Sequence, residues 1–473
     1  MSRALPGDLR LEAALGDLQG QIYRALRDMA LDGRLAPGSV LPSTRNLARA
    51  LGVARSTVVE ALERLKAEGY LETRAGAAAR IALIRPGQEI GAAPSPTLVR
   101  KPAAWPLLPL TPGVPDVQAF PSEVFARHLS AAGRRLSPTD LAFCPPEGHA
   151  PLRAAIARHL AASRGVLAEP DQVLILPSAG AGMALFAALC LKGHDRVWVE
   201  EPGYLSGPAI FGAQGAEVVA VPCDAAGLDP DLAPHGPEPR LICISPSHQF
   251  PTGATLSLDR RLGLLDLARR TGALILEDDY DSEFPLGERV LPALQSIDRS
   301  GSVVYLGTFS KVLAPSLRLA FAIAPFNLVE KARAHLALTH AGPAVVLQAA
   351  LAEFINEGRL RAHIRRMAPL YAVRMMALRQ ALAEAAPSDL IPPPPHGGLQ
   401  LAVSFCDQTR DDQLAARLMQ EKGFGVRAFS DFHQGHPRRG LVFGTASATD
   451  DVARQAARAF TEISNRLTRR ASP

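Results

Sequence analysis

A chain of 473 residues is longer than one compact core usually holds, so a small domain beside a large one is expected. With 47% hydrophobic and 21% charged residues it can bury a sizeable core, which excludes disorder beyond its linkers. The net charge of +5 sits at one end: residues 1–101 hold 15 Lys and Arg against 10 Asp and Glu, and the rest balances at 36 against 36, a faint footprint for a polyanion.

From about Leu18 to Ile84 the periodicity is helical and then turns into a short strand pair around Tyr70 to Ile84, which reads as a small α+β domain over residues 12–84. Its segment LPSTRNLARALGVARSTVVEALERLKAEGYLETRAG holds two helices and a tight turn: Leu47–Leu51, then Gly52, then Arg55–Glu68. Val58, Ala61, Leu62 and Leu65 form the buried face of the second helix, leaving Arg55, Ser56, Thr57 and Glu60 outward. The first turns of a helix in the major groove read base edges, while hydroxyls and arginines hold phosphates. Arg55 is then the candidate base or phosphate reader and Arg45 a backbone grip; the plainer alternative is a small helical domain with solvated arginines.

Residues 85–109, RPGQEIGAAPSPTLVRKPAAWPLLP, carry enough proline and glycine to block regular structure and read as an interdomain linker. Residues 110–473 form the large domain. Apolar runs at 172–176, 196–200, 217–221, 240–244, 273–277 and 302–306 alternate with helical segments, which predicts an α/β domain with a mostly parallel sheet. Ligands of such sheets gather beyond the carboxyl ends of the strands.

The residues just past those ends suit pyridoxal phosphate, which needs a lysine for a Schiff base, an acid at the pyridine nitrogen, a phosphate cradle and a stacking partner. Lys311 in GTFSK is the lysine, and Asp278 in LILEDDYDSEF is the first choice of acid, just beyond a strand ending at Glu277. Tyr280 is placed to bond the ring hydroxyl. Gly180 and Ala181 in PSAGAGMALF open a helix whose amides can cradle the phosphate, and Thr308 and Arg318 add a hydroxyl and a positive charge. Tyr204 in EEPGYLS is the stacking candidate.

The amino-terminal segment resembles the winged-helix domain of GntR-type regulators, which implies DNA contacts from Arg45, Arg55, Ser56 and Thr57 and a wing tip at Gly76. The wing departs from the usual pattern, since AGAAAR lacks the serine and threonine often found there. The glycine-rich turn, aromatic loop, SPSHQFPTG, EDDYDSEF and GTFSK, in that order, resemble fold type I aminotransferases, and the whole resembles the MocR subfamily of GntR regulators. The resemblance implies a domain-swapped homodimer, an aldimine at Lys311, and control of genes of vitamin B6, amino-acid or related nitrogen metabolism.

Two departures from working aminotransferases stand out. Phe250 replaces the asparagine many of them carry before Pro-Thr-Gly, so His248 or Tyr280 takes over the ring hydroxyl. Where many have a carboxylate-binding arginine on a late strand, RRGLVFGTAS places Val442, with Arg438 and Arg439 a few residues earlier as stand-ins. The reading is a pyridoxal-phosphate-responsive regulator that binds double-stranded operator DNA and senses the cofactor or an amino compound; an active aminotransferase with an accessory DNA-binding domain is the alternative. Cys144, Cys190, Cys223, Cys243 and Cys406 are scattered and odd in number, as reduced thiols would be, and no metal-ligand spacing is present. Without a signal-peptide pattern, and with Ala179 to Leu191 too short to span a bilayer, a cytoplasmic protein is expected.

Overall fold

The computed structural model describes residues 9, 11–12, 16–73, 78–83, 107–287, 291–386, 388–435 and 437–470, with the side chains of 465–470 left aside. The chain divides into two compact units, residues 1–105 and 106–473. All five cysteines are unbridged. No described helix is long and apolar enough to cross a membrane.

The small unit packs α1 (Leu18–Leu31), α2 (Thr44–Leu51) and α3 (Arg55–Ala67) against an antiparallel pair, β1 (Leu71–Glu72) and β2 (Arg80–Ile81). Its core joins Ile22, Leu26 and Met29 of α1 to Leu47 of α2 and to Val58, Ala61, Leu62 and Leu65 of α3. Helix α2 starts three residues before the expected Leu47 because Ser43 accepts the Asn46 amide on its Oγ at 3.3 Å and opens the helix there. It stops at Gly52, whose φ of +68° suits glycine.

In the large unit eight strands lie in the order β3 (Val173–Leu176), β10 (Ala320–Ile323), β9 (Val303–Thr308), β8 (Leu274–Asp279), β7 (Leu241–Ile244), β4 (Arg196–Glu201), β5 (Glu217–Asp224) and β6 (Gly227–Leu228). β9, β8, β7, β4 and β5 are mutually parallel, while β10 runs antiparallel to both its neighbours. All six expected runs are strands; β10 and β6 were not foreseen. On β8 the side chains alternate: Leu274 and Leu276 pack beneath helix α7 (Ala179–Cys190), with its Met183 and Phe186, and Ile275 packs on the other face with Leu264 and Leu267 of α9 (Leu258–Thr271). A separate four-stranded antiparallel sheet, β11 (Leu390–Ile391), β12 (Gln400–Phe405), β14 (Gly440–Gly444) and β13 (Arg427–Ala428), carries α13 (Asp412–Glu421) and α14 (Asp450–Arg470). The helices between these, α4 (Ser122–Arg135), α5 (Pro138–Ala142), α6 (Ala150–Arg164), α8 (Gly207–Gly212), α10 (Phe326–Thr339), α11 (Val345–Asn356) and α12 (Arg359–Ala385), complete the unit.

Candidate functional sites

In the small unit α3 presents Arg55 and Ser56 exposed and Thr57 half-buried, with Arg45 exposed on α2. Arg55 Nε donates to Thr44 Oγ1 at 3.3 Å, which ties the start of α3 to the start of α2. Ala54, at the N-cap of α3, supplies no side-chain acceptor, so the amides of its first turn remain able to meet an anion. Gly76, the expected wing tip, lies outside the described residues, as does most of the expected linker.

In the large unit β8 runs two residues past the expected end at Glu277 and finishes on Asp278 and Asp279. Alternation sends the two acids to opposite faces. Asp279 meets Arg164, the last residue of α6, with Nε 2.8 Å from Oδ2, and the Tyr305 hydroxyl donates to the same oxygen at 2.6 Å. Arg164 is 2% exposed and also donates to Ser247 Oγ at 2.6 Å. Burial pushes the Asp279 carboxyl up, but Arg164 and the hydroxyls of Ser282 and Tyr305 outweigh it and hold it below its ordinary value.

Asp278 has no comparable partner. It continues the face that packs under α7, its Oδ1 is buried without a hydrogen bond, and burial together with Asp279 pushes its pKa up to about 7 against the pull of Lys311. In the parallel register Asp278 lies opposite Leu306, so Lys311, three residues beyond Thr308 at the end of β9, stands at the neighbouring strand end. Burial lowers the basicity of the Lys311 amine, with Asp281 and Asp278 opposing. Lys311 Nζ donates to Gly113 O at 2.5 Å. Gly113 has φ +71°, a backbone conformation that favours glycine, and a Cβ there would come within 2.9 Å of the movable end of the Lys311 side chain.

Around this pair the sequence candidates fall as follows. The Tyr280 hydroxyl accepts from Gln400 Nε2 at 2.5 Å, and its ring meets Phe250 edge-on at 5.8 Å between centroids. Phe250 in turn touches Tyr204, at 6.3 Å, and Phe432, at 5.3 Å. His248 Nδ1 lies 2.9 Å from Asp281 Oδ1, whose other oxygen accepts the Leu399 amide at 2.9 Å. Gly180 and Ala181 open α7, where Ser178 Oγ accepts the Ala181 amide at 3.0 Å. Thr308 Oγ1 bonds Ser310 Oγ at 3.0 Å, and Arg318 is exposed with φ +52°. Arg438 and Arg439 are not among the partners of Lys311, Asp278 or Tyr280: Arg439 Nη1 binds Asp412 Oδ1 at 3.0 Å, and Arg438 lies over the Phe429 ring, 5.1 Å from its centroid.

Sequence reasoning missed Arg164, Gly113 and Gln400. Asp281 was visible within EDDYDSEF, whereas the other three come from distant segments with no motif around them and reach the site only through the fold.

Two family models cover the chain: bacterial regulatory proteins of the gntR family match residues 18–81, and aminotransferase class I and II matches residues 110–460. The chain is 35% identical to the probable rhizopine catabolism regulatory protein MocR of Rhizobium meliloti, covering 92% of this chain and 91% of that one. It is 33% identical to the pyridoxine biosynthesis transcriptional regulator PdxR of Corynebacterium glutamicum, covering 92% and 93%. Among solved structures, LysN, the α-aminoadipate aminotransferase of Thermus thermophilus complexed with N-(5'-phosphopyridoxyl)-L-leucine, superposes with a TM-score of 0.70 at 27% identity, covering 77% of this chain and 93% of that one. Members of this aminotransferase fold bind pyridoxal phosphate. The residues present fit that group: a lysine amine of lowered basicity stands beside Asp278 Oδ1, a buried acceptor without a partner, on the face where α7 begins with small residues.

Proposed function

Because this chain belongs to the MocR-type regulators of the GntR family, a winged-helix reader joined to an aminotransferase class I and II domain, we propose that it is a transcription regulator whose DNA affinity responds to pyridoxal phosphate, or to an amino compound, captured at Lys311. The observation that carries this reading is the unpartnered Asp278 Oδ1 beside Lys311, in a chain that also presents Arg55 at the open end of a recognition-type helix.

Bound there, pyridoxal phosphate supplies an aldehyde carbon that condenses reversibly with an amine. Lowered basicity leaves more of the Lys311 amine neutral and able to attack. Asp278 holds a proton at the ring nitrogen, and ionising beside that cation relieves its own isolation. Gly180, Ala181, Thr308 and Arg318 hold the phosphate, Tyr204 covers the ring, and Tyr280 or His248 takes the ring hydroxyl. In the reader, residues 12–84, Arg55, Ser56 and Thr57 face the major groove, Arg45 grips phosphate and Gly76 tips the wing; residues 85–109 tether it to residues 110–473. Two such chains, as a homodimer in the cytoplasm, would place two readers on paired half-sites. The similarity to regulators named for rhizopine catabolism and pyridoxine biosynthesis supports targets in amine or vitamin B6 metabolism.

The test compares purified full-length protein with its Lys311→Ala variant. The expected result is a visible band from lysine-bound cofactor that the variant lacks, and a wild-type affinity for its own upstream DNA that shifts when pyridoxal phosphate or an amine is added. An unchanged spectrum in the variant would sink the lysine assignment, and transamination without DNA binding would leave an aminotransferase in place of the regulator.

A further inference from the structure

We propose that Gln400 is a positioning residue for the cofactor: by donating to the Tyr280 hydroxyl it turns that hydroxyl's own proton onto the ring oxygen of pyridoxal phosphate. The consequence is a lower pH at which the nitrogen joining Lys311 to the cofactor gives up its proton. This rests on the reading of Lys311 and Tyr280 as cofactor residues and adds to it a residue from the other sheet.

Gln400 opens β12, and its side chain leaves the strand on the same face as that of Ala402. Ala402 belongs to the cluster of Val442, Phe429 and Phe432 against which Phe250 packs, and the Phe250 ring meets Tyr280. Leu401 and Val403 take the opposite face, in the core with Leu378 of α12 and Phe460 of α14. Gln400 is 2% exposed, so its amide has lost its water and gains only what it bonds within the fold. One end is satisfied. Nε2 donates to the Tyr280 hydroxyl at 2.5 Å, whereas Oε1 is buried without a partner. An apolar side chain of similar length would avoid that loss, so the bond to Tyr280 is what the glutamine contributes.

The direction of this bond decides its effect. An amide nitrogen only donates, so the hydroxyl accepts from it and keeps its own proton for another acceptor. Among the described residues none takes that proton. Burial, with Asp281, Asp278, Glu200 and Asp279 around it, pushes the Tyr280 pKa well above its ordinary value, which keeps the hydroxyl a neutral donor. Asp281 and Asp278 are also the two carboxylates that act on Lys311. His248, the other candidate for the ring oxygen, is engaged by Asp281 through Nδ1 at 2.9 Å. It lines a cavity of about 240 Å³ with Arg164, Ser247 and Ser282, on the Asp279 side of the strand and not the Asp278 side.

A hydroxyl that accepts one hydrogen bond donates a stronger one. Donation to an anionic ring oxygen draws on its charge, and the oxygen then holds the proton of the neighbouring nitrogen less firmly. Asp278 and Asp281 act in the opposite sense, and a change at Gln400 leaves both in place.

The test loads full-length protein with pyridoxal phosphate and follows its visible band across pH. Gln400→Met is expected to raise the midpoint by about one unit and Tyr280→Phe by about one to two, the worth of a hydrogen bond to an ion. The double variant is expected to go no further than Tyr280→Phe alone, because Gln400 acts only through the hydroxyl. Gln400→Leu repeats the measurement should Gln400→Met not fold. A midpoint that Gln400→Met and Gln400→Leu leave unmoved or lower, one that Tyr280→Phe does not raise, or shifts that add in the double variant would each overturn the inference and leave the Lys311 reading intact. Absence of any visible cofactor band from the wild type would overturn that reading, and this inference with it.

Discussion

Asp278→Asn keeps the shape of the side chain and removes its charge, so it separates the folding of the large domain from its hold on the cofactor. In the cofactor-free chain burial and Asp279 bring the Asp278 carboxyl from 3.8 to about 7. That displacement costs the ionised form about 4 kcal/mol. A folded value above the unfolded one means that the stability of the protonated form is complete below about pH 4 and is lost as pH rises through about 7. Asparagine has nothing to lose over that window. The cofactor-free variant is therefore expected to be more stable than wild type by about 4 kcal/mol at pH 8.5 and by about half as much at pH 5.5. With cofactor the sign reverses: removing one partner of a buried ion pair costs about 3–5 kcal/mol, or about 10²–10⁴-fold in pyridoxal phosphate retention. Denaturant unfolding of the large domain at the two pH values measures the first quantity, and cofactor titration by visible absorbance the second. A variant no more stable than wild type at pH 8.5, or one that keeps its cofactor as tightly, would refute the reasoning.

Arg164→Met leaves Asp279 buried without its cation and is expected to cost about 3–5 kcal/mol of stability; an unmoved unfolding midpoint would mean that the network contributes nothing. Arg55→Ala is expected to weaken operator binding about tenfold at low salt and to lower the slope of log affinity against log salt by about one; a loss of affinity with an unchanged slope would place Arg55 away from phosphate. Whatever factor a ligand at Lys311 imposes on operator affinity, the operator must impose on the affinity for that ligand; unequal factors in the two titrations would show that ligand and DNA do not share one equilibrium.

Much of this was legible in the chain because it depends on local pattern. The six apolar runs became strands since continuous burial leaves no other economical arrangement for them, and the α3 face of Val58, Ala61, Leu62 and Leu65 followed from helical spacing. Strand β10 escaped because AFAI is too short for periodicity to distinguish, and its antiparallel insertion between β3 and β9 is a property of the sheet. The end of β8 was placed too early, at Glu277, because an apolar run ordinarily stops where charges begin, whereas the strand continues by burying both aspartates. Gln400 and Gly113 were out of reach: one lies 120 residues from the Tyr280 it holds, the other 198 residues from Lys311, and neither carries a local signal.

Burying successive acids at a strand end contradicts every local rule for an apolar strand, and how each one is compensated shows where the ligand belongs. Glu277 accepts the Leu294 and Gln295 amides at 2.7 and 2.8 Å. Asp279 has Arg164 and Tyr305, and Asp281 has His248 and the Leu399 amide. Asp278 keeps Oδ1 buried with no donor, and Lys311 opposes the rise in its pKa without reversing it. A fold that satisfies the acids on either side and leaves the middle one bare suits a cation that arrives from outside the chain, which is the role proposed above for the pyridine ring of a cofactor held at Lys311.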